Sequence, residues 1–164
     1  NCRLGSEKKC GYNNLCRRSI VVYKVECLRT NKIYIGNTQQ HFKTRMQQHF
    51  GDVKKLLKTN EKSDSYAKHF AHQLINFKDP SNKLQRNNIH CSIIWQRNPI
   101  SAVKTFGTAN CTLCNKERLE ILKLSRYKPH LLINSCNEIY GACRHKPKFH
   151  RYITARGTDE SDKG

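Results

Sequence analysis

The spacing of apolar residues changes period along the chain. Residues 20–25 (IVVYKV) and 32–36 (KIYIG) are short β-branched and aromatic runs on either side of Leu28-Arg29-Thr30-Asn31. Two such runs across a short polar connection predict an antiparallel hairpin, with Tyr23 in the first strand and Tyr34 in the second. From about Gln39 the period lengthens. Phe42, Met46, Phe50, Val53 and Leu57 form a helical stripe that stops near Lys58-Thr59-Asn60. Arg45 and His49, at i and i+4, share one face at the edge of that stripe. Ser63-Asp64-Ser65 reads as the N-cap of a second helix, which runs to about Phe77 and carries His69 and His72. After a loop at Asp79-Pro80-Ser81-Asn82, Asn88 to Gln96 alternates as a third strand, with Trp95 helping to close the core. Residues 97–110 read as a polar loop. Asn115 to Tyr127 reads as a further helix with Leu119, Leu122 and Leu124 turned inward, ended by Pro129. Leu131 to Asn134 returns as a short buried segment.

A length of 164 residues is enough for one domain with a real core. Met46 is the sole methionine, so the chain reads as a piece of a longer polypeptide. No apolar run has the length of a membrane span, and nothing resembles a signal peptide. Lys and Arg number 31 against 12 Asp and Glu, a formal charge of +19. That balance suits a polyanion, with nucleic acid as the default partner. An anionic membrane fits less well, because no basic helix has a strongly apolar opposite face.

Nine cysteines, an odd number without a secretory signal, argue against a disulfide framework. Cys27, Cys91 and Cys136 sit singly in apolar or strand-like surroundings and read as small buried residues. The other six suggest metal. Cys2, Cys10 and Cys16 lie in a polar segment, residues 1–19, too poor in apolar residues to fold on a core of its own. Either the three thiolates hold it around Zn²⁺ with one ligand still to find, or it is a flexible basic leader with free thiols. Cys111-x2-Cys114 reads as a zinc-knuckle turn before the last helix, and Cys143 and His145 follow beyond it. Together they make a Cys₃His zinc site, with His150 as a substitute for His145. A thioredoxin-like redox motif is disfavoured, since no βαβ pattern surrounds the pair.

Taken singly, a strand tyrosine is usually a cross-strand partner, and an Arg–His pair on a helix is usually a solvated face. The whole series resembles the GIY-YIG nuclease family. Val21-Val22-Tyr23 stands at the first triplet, with Val21 in place of its glycine, and Tyr34-Ile35-Gly36 is the second triplet intact. Thr38, Arg45 and His49 stand where the family has its threonine, catalytic arginine and following histidine, while Asn37 stands where some relatives carry a lysine. The resemblance implies an α+β fold, a small three-stranded antiparallel sheet flanked by helices, here with zinc-stabilised segments at its margins. The expected division is a cysteine-containing segment 1–19, a nuclease core 20–142 and a zinc-linked basic tail 143–164 ending in disorder.

The implied reaction is phosphodiester hydrolysis. It needs an activated water, a charge sink for the pentavalent transition state and help for the leaving oxygen. Tyr23 and Tyr34 are the candidate bases. A free phenol has a pKa of about 10, which nearby cations would lower. Arg45 would hold the scissile phosphate, and His49 would orient a tyrosine or relay a proton. In the family a metal-binding glutamate precedes a helix-ending proline by nine residues. Glu120 and Pro129 have that spacing, so Glu120 is the expected ligand of Mg²⁺ or Mn²⁺, with Glu117 pairing with a nearby base. Asn134 resembles the family's asparagine after the proline, two residues beyond the usual spacing.

Spaced cysteines before the hairpin, then Cys111-x-Leu113-Cys114-x2-Glu117, then Cys143-Arg144-His145-Lys146-x-Lys148 narrow the resemblance. The pattern is similar to the endonuclease domain of Penelope-like retroelements, over about residues 2–150. It implies nicking of target DNA, a reverse transcriptase upstream in the same polypeptide and a nuclear site of action. A repair or homing nuclease of the same family is the first alternative. A zinc-stabilised DNA-binding module without activity is the second.

Overall fold

The computed structural model describes residues 12, 15–59, 65–76, 89–97, 111–140, 143 and 145. Cys2, Cys10, most of the 97–110 loop and the tail with His150 lie outside the described residues, as do the side chains of His72 and Cys136. Strands β1 (Val21–Cys27) and β2 (Ile33–Thr38) form the hairpin, and β3 (Ile89–Gln96) pairs with the other edge of β1. The sheet is antiparallel throughout, in the order β2-β1-β3. The hairpin closes through the Cys27 carbonyl, which accepts from Thr30 N–H at 3.3 Å and Asn31 N–H at 2.8 Å. Asn31 takes φ 56°, a left-handed conformation that asparagine tolerates better than most residues.

β1 is the central strand and helices cover both of its faces, so its apolar run is nearly continuous. Val21, Tyr23 and Val25 turn toward α1 (Phe42–Thr59) and α2 (Ser65–Asn76), where Phe42, Met46, Val53, Tyr66 and Phe70 complete a core. Val22 joins Ile33 and Ile35 of β2 on the opposite face, against Leu113 and Ile121 of α3 (Thr112–Tyr127). The pairing of β1 with β3 slips between Val22 and Tyr23, where Ile94 is the extra residue. Such a bulge kinks one strand and re-aims its neighbours.

The helix boundaries differ from the sequence reading for local reasons. Thr38 Oγ1 accepts from Gln40 N–H at 3.0 Å, a side-chain turn that delays α1 from Gln39 to Phe42. Two of the unpaired N–H groups at the start of α1 are met from outside: Phe42 donates to the Arg18 carbonyl and Lys43 to that of Cys16. Cys16 itself is buried, 7 % exposed, in the α1/α2 core.

Helix α3 starts at Thr112, so the Cys111–Cys114 pair forms its first turn rather than a knuckle ahead of it. Its inward stripe is Leu113, Glu117, Ile121 and Leu124. Leu119 and Leu122, expected inside, are 43 % and 45 % exposed. The leucines alone suggested the wrong rotation of the helix, because the inward stripe includes a half-buried acidic residue.

Beyond α3, a 3₁₀ turn at Pro129–Leu131 delivers the chain to the outer edge of β2. There Leu132 bridges Ile33 in parallel, and Ile133 N–H donates to the Ile33 carbonyl at 2.8 Å. The segment is half-buried. A short helix absent from the sequence reading, α4 (Cys136–Tyr140), follows.

Candidate active site

The site is built on the Tyr23 phenol. Tyr23 is opposite Gly36 in the hairpin register, and its ring end lies over that glycine. A Cβ at Gly36 would stand 2.6 Å from Tyr23 Cζ and Oη and 2.8 Å from Tyr34 Cε1. Only a residue without a side chain leaves room for both phenols, which is the physical content of the glycine in Tyr34-Ile35-Gly36. Two α1 side chains meet the Tyr23 hydroxyl. His49 Nε2 is 2.7 Å away, and Arg45 Nε–H donates to the oxygen at 3.3 Å. The i, i+4 spacing of Arg45 and His49 brings both to one atom.

His49 is not at the edge of the apolar stripe, as the sequence suggested, but fully buried. It stacks on Tyr66, centroids 4.1 Å apart and planes at 26°, and meets the Tyr34 ring edge-on at 5.5 Å. Burial, and secondarily the Arg45 charge, hold its pKa well below the ordinary histidine value. The imidazole is therefore neutral at neutral pH. With Arg45 donating to the phenol oxygen, the phenol's own proton can point at the His49 Nε2 lone pair. Arg45 is only half-buried and is the member of this group that faces outward.

Tyr34 has a different neighbour. Its hydroxyl donates to Glu138 Oε1 at 3.3 Å, and Glu138 Oε2 accepts from Ser65 Oγ–H at 2.9 Å and Ser135 N–H at 2.7 Å. Sequence reasoning missed Glu138, although a signal was there. Ser135-x2-Glu138 is a capping box, in which the glutamate reaches back to the N-cap amide. Tyr66 was missed as well, because one aromatic residue in a helical stripe gives no sign of the imidazole on which it stacks.

Asn134 clamps β2. Its Oδ1 accepts from Ile35 N–H at 2.8 Å and its Nδ2 donates to the Ile35 carbonyl at 2.7 Å. The side chain thus acts as a strand partner for the residue between Tyr34 and Gly36. Glu120 is half-buried, with Lys123 Nζ 2.8 Å from its carboxylate. Glu117, one turn earlier, accepts from Asn37 Nδ2–H. His69 Nε2 lies 3.3 Å from Thr30 Oγ1, a packing contact between α2 and the hairpin turn.

On the α3 face, the ligand atoms of Cys111, Cys114, Cys143 and His145 lie within 4.8 Å of one another. His145 Nδ1 is 3.4 Å from Cys111 Sγ, 3.2 Å from Cys114 Sγ and 3.6 Å from Cys143 Sγ. None of the three cysteines is in a disulfide. Burial, followed by the hydrogen bond with Cys143, pushes the Cys114 thiol far up from its ordinary value. Three crowded sulfurs with an imidazole nitrogen among them are a donor set that a soft or borderline cation satisfies. This cluster can hold a metal ion.

A phenol, a guanidinium and an imidazole thus converge on one face of a three-stranded sheet. Residues 19–94 match the model of the GIY-YIG catalytic domain, a stretch that holds Tyr23, Tyr34, Arg45 and His49. The activity of that domain is nuclease activity on DNA, and the protein is of this enzyme class. No curated protein and no solved structure matches the chain. Among the described residues, no helix is long and apolar enough to cross a membrane.

Proposed function

We propose that the protein is a divalent-metal-dependent endonuclease that nicks target DNA for insertion of a retroelement, in a polypeptide with a reverse transcriptase upstream. The observation that carries the chemistry is the Tyr23 hydroxyl, held between Arg45 Nε and His49 Nε2. The Arg45 charge favours the phenolate form of Tyr23, whose proton leaves to solvent; neutral His49 orients the oxygen, and the phenolate takes a proton from the attacking water. Tyr34, which donates to the Glu138 carboxylate, keeps its proton and holds the wall of the site. Arg45 turns from the phenol toward the scissile phosphate and stabilises the charge that grows there. The half-buried guanidinium is the group an incoming phosphate meets.

The partners of the carboxylates support Glu120 as the catalytic metal ligand. Glu138 has both oxygens bonded, and Glu117 is engaged by Asn37. Glu120 has a surface ammonium as its partner, a contact that solvent and a divalent ion readily displace. An oxygen ligand of this kind fits Mg²⁺ or Mn²⁺, which would supply Lewis-acid stabilisation to the phosphate oxygens when bound. Zn²⁺ is the ion for Cys111, Cys114, Cys143 and His145, and it would fasten the chain after Asn134 onto α3.

The retroelement reading is supported by the spacing Cys-x-Leu-Cys-x2-Glu and Cys-x-His, whose cysteines and histidine fold into one cluster. That reading carries a nuclear site of action with it. The test is nicking of a supercoiled plasmid in Mg²⁺ by wild type and Glu120→Gln. Wild type should nick, and the variant should lose cleavage while keeping its DNA affinity. Normal nicking by Glu120→Gln would move the metal to another carboxylate. No nicking by wild type in Mg²⁺ or Mn²⁺ would leave a binding module.

A further inference from the structure

Asn37 follows the Tyr34-Ile35-Gly36 triplet and turns to the α3 face of the sheet, away from the tyrosines. It is bonded on both sides. Its Oδ1 is 2.9 Å from His145 Nε2, and its Nδ2 donates to Glu117 Oε2 in a short contact. The two bonds determine each other. A carboxylate only accepts, so the amide must turn its NH₂ toward Glu117. Its carbonyl oxygen then faces His145 and only accepts, so His145 carries its proton on Nε2. That leaves the Nδ1 lone pair directed at the three thiols, the tautomer a metal ligand requires.

We infer that Asn37 is a positioning residue that links the Cys₃His cluster to the acidic face of α3, and through it to the catalytic strand. The inference rests on the proposed metal reading of that cluster. An ion on Nδ1 fixes the His145 ring, the ring fixes the Asn37 amide, and the amide fixes Glu117. Glu117 sits on the inward stripe of α3 between Leu113 and Ile121, one turn before Glu120. The chain of bonds therefore sets how the Glu117–Glu120 turn lies against β2. Cluster and tyrosine site lie on opposite faces of one strand, and Asn37 is the point at which β2 contacts both His145 and Glu117.

Two substitutions divide the link at its middle. Asn37→Ala removes both bonds. Asn37→Asp keeps an acceptor for His145 Nε2–H but sets a carboxylate against Glu117. The probe is Co²⁺, titrated into metal-stripped protein and followed by its thiolate absorption, then displaced by Zn²⁺. Asn37→Ala should weaken the metal by about 10- to 100-fold, although every ligand is present. Asn37→Asp should bind the metal within a few-fold of wild type yet lose about tenfold or more in nicking rate. Unchanged affinity in Asn37→Ala overturns the inference, and so does an Asn37→Asp that nicks at the wild-type rate. An Asn37→Asp whose affinity falls as far as that of Asn37→Ala also overturns it. If wild type binds neither ion, the metal reading itself fails and takes this one with it, an outcome visible before any variant is made.

Discussion

The two faces of the sheet hold functional groups by different means. On the α1/α2 face, Tyr23, Phe42, Met46, Tyr66 and Phe70 are all 0 % exposed, and His49 lies among them. Close packing on every side leaves the Tyr23 hydroxyl little freedom, and the polar bonds from Arg45 and His49 are made inside a position that hydrophobic burial has already fixed. On the α3 face, Leu113 and Ile121 are buried, but Trp95, Leu124, Leu131 and Leu132 are only partly covered. The remaining cohesion there is polar: the Asn134 clamp, the Asn37 bonds and the Cys₃His cluster. One face is organised by apolar area. The other has less of it, and there metal binding would contribute folding free energy. The tyrosine site and the Cys₃His cluster thus lie on opposite faces of one sheet, with α3 carrying both the cluster's first turn and Glu120.

The largest effect should come from the first face. Arg45→Ala should lower plasmid nicking by about 10²- to 10³-fold, the scale of a lost transition-state charge contact. Arg45→Lys should rescue poorly, since a point charge does not reproduce a planar fork. Zinc content should be unchanged in both. Near-normal nicking by Arg45→Ala would reduce this face to scaffold.

A contrast within the same face comes next. Tyr23→Phe should cost about 10²-fold or more as the loss of a general base, and Tyr34→Phe distinctly less. Single-turnover nicking rates of the two variants decide the matter. The reverse order would put the base on β2 and make the Tyr23–His49 pair structural.

The two faces were unequally legible in the sequence. The hairpin, the third strand, the α1 stripe and the Tyr23, Tyr34, Arg45 and His49 series follow from local periodicity, and each residue type limits its own role. Periodicity did not show that His49 is buried rather than at the stripe's edge. Its neighbours Tyr34 and Tyr66 come from β2 and α2, and only the fold brings them together. The α3 face was legible in its thiols, because cysteine spacing is itself a metal signal, but not in its geometry. Glu117 occupies a half-buried position on the inward stripe that hydrophobicity assigns to a leucine, so the leucine pattern points Leu119 and Leu122 inward. Glu138 and Asn37 act through partners 104 and 80 residues away, a distance over which no sequence period operates.

Breaking the second face should act on stability before rate. Cys143→Ser removes one of four ligands while touching no group around Tyr23. It should release about one zinc per molecule, lower Tm by on the order of 5–10 °C and reduce nicking. Metal analysis of the purified variant is the direct check. Wild-type zinc in Cys143→Ser, or wild-type protein without zinc, would make these thiols reduced core cysteines. The comparison between the faces would then fail, because both would be held by packing alone.

The smallest effect is a pH dependence that belongs to the first face. Burial, then Arg45, lowers the His49 pKa, and burial, then Lys32, lowers that of His69. In the unfolded chain each returns to about 6.5. Between that value and the lower folded one, the unfolded state binds protons that the folded state does not. Stability therefore rises with pH across this window and is lost as pH falls below about 6.5. The slope is at most about 1.4 kcal/mol per pH unit for each group. Urea midpoints at about pH 7.5, 6.5 and 5.5 should fall in that order. His49→Phe, which keeps a ring against Tyr66, should flatten the trend by one group's share. Acid also protonates metal-bound thiolates, so zinc is assayed at each pH to separate loss at the α3 face from His49. An equal slope in His49→Phe at equal zinc content would mean that His49 titrates alike in the folded and unfolded chain, and the reading of a buried imidazole held neutral beside Tyr23 would fall with it.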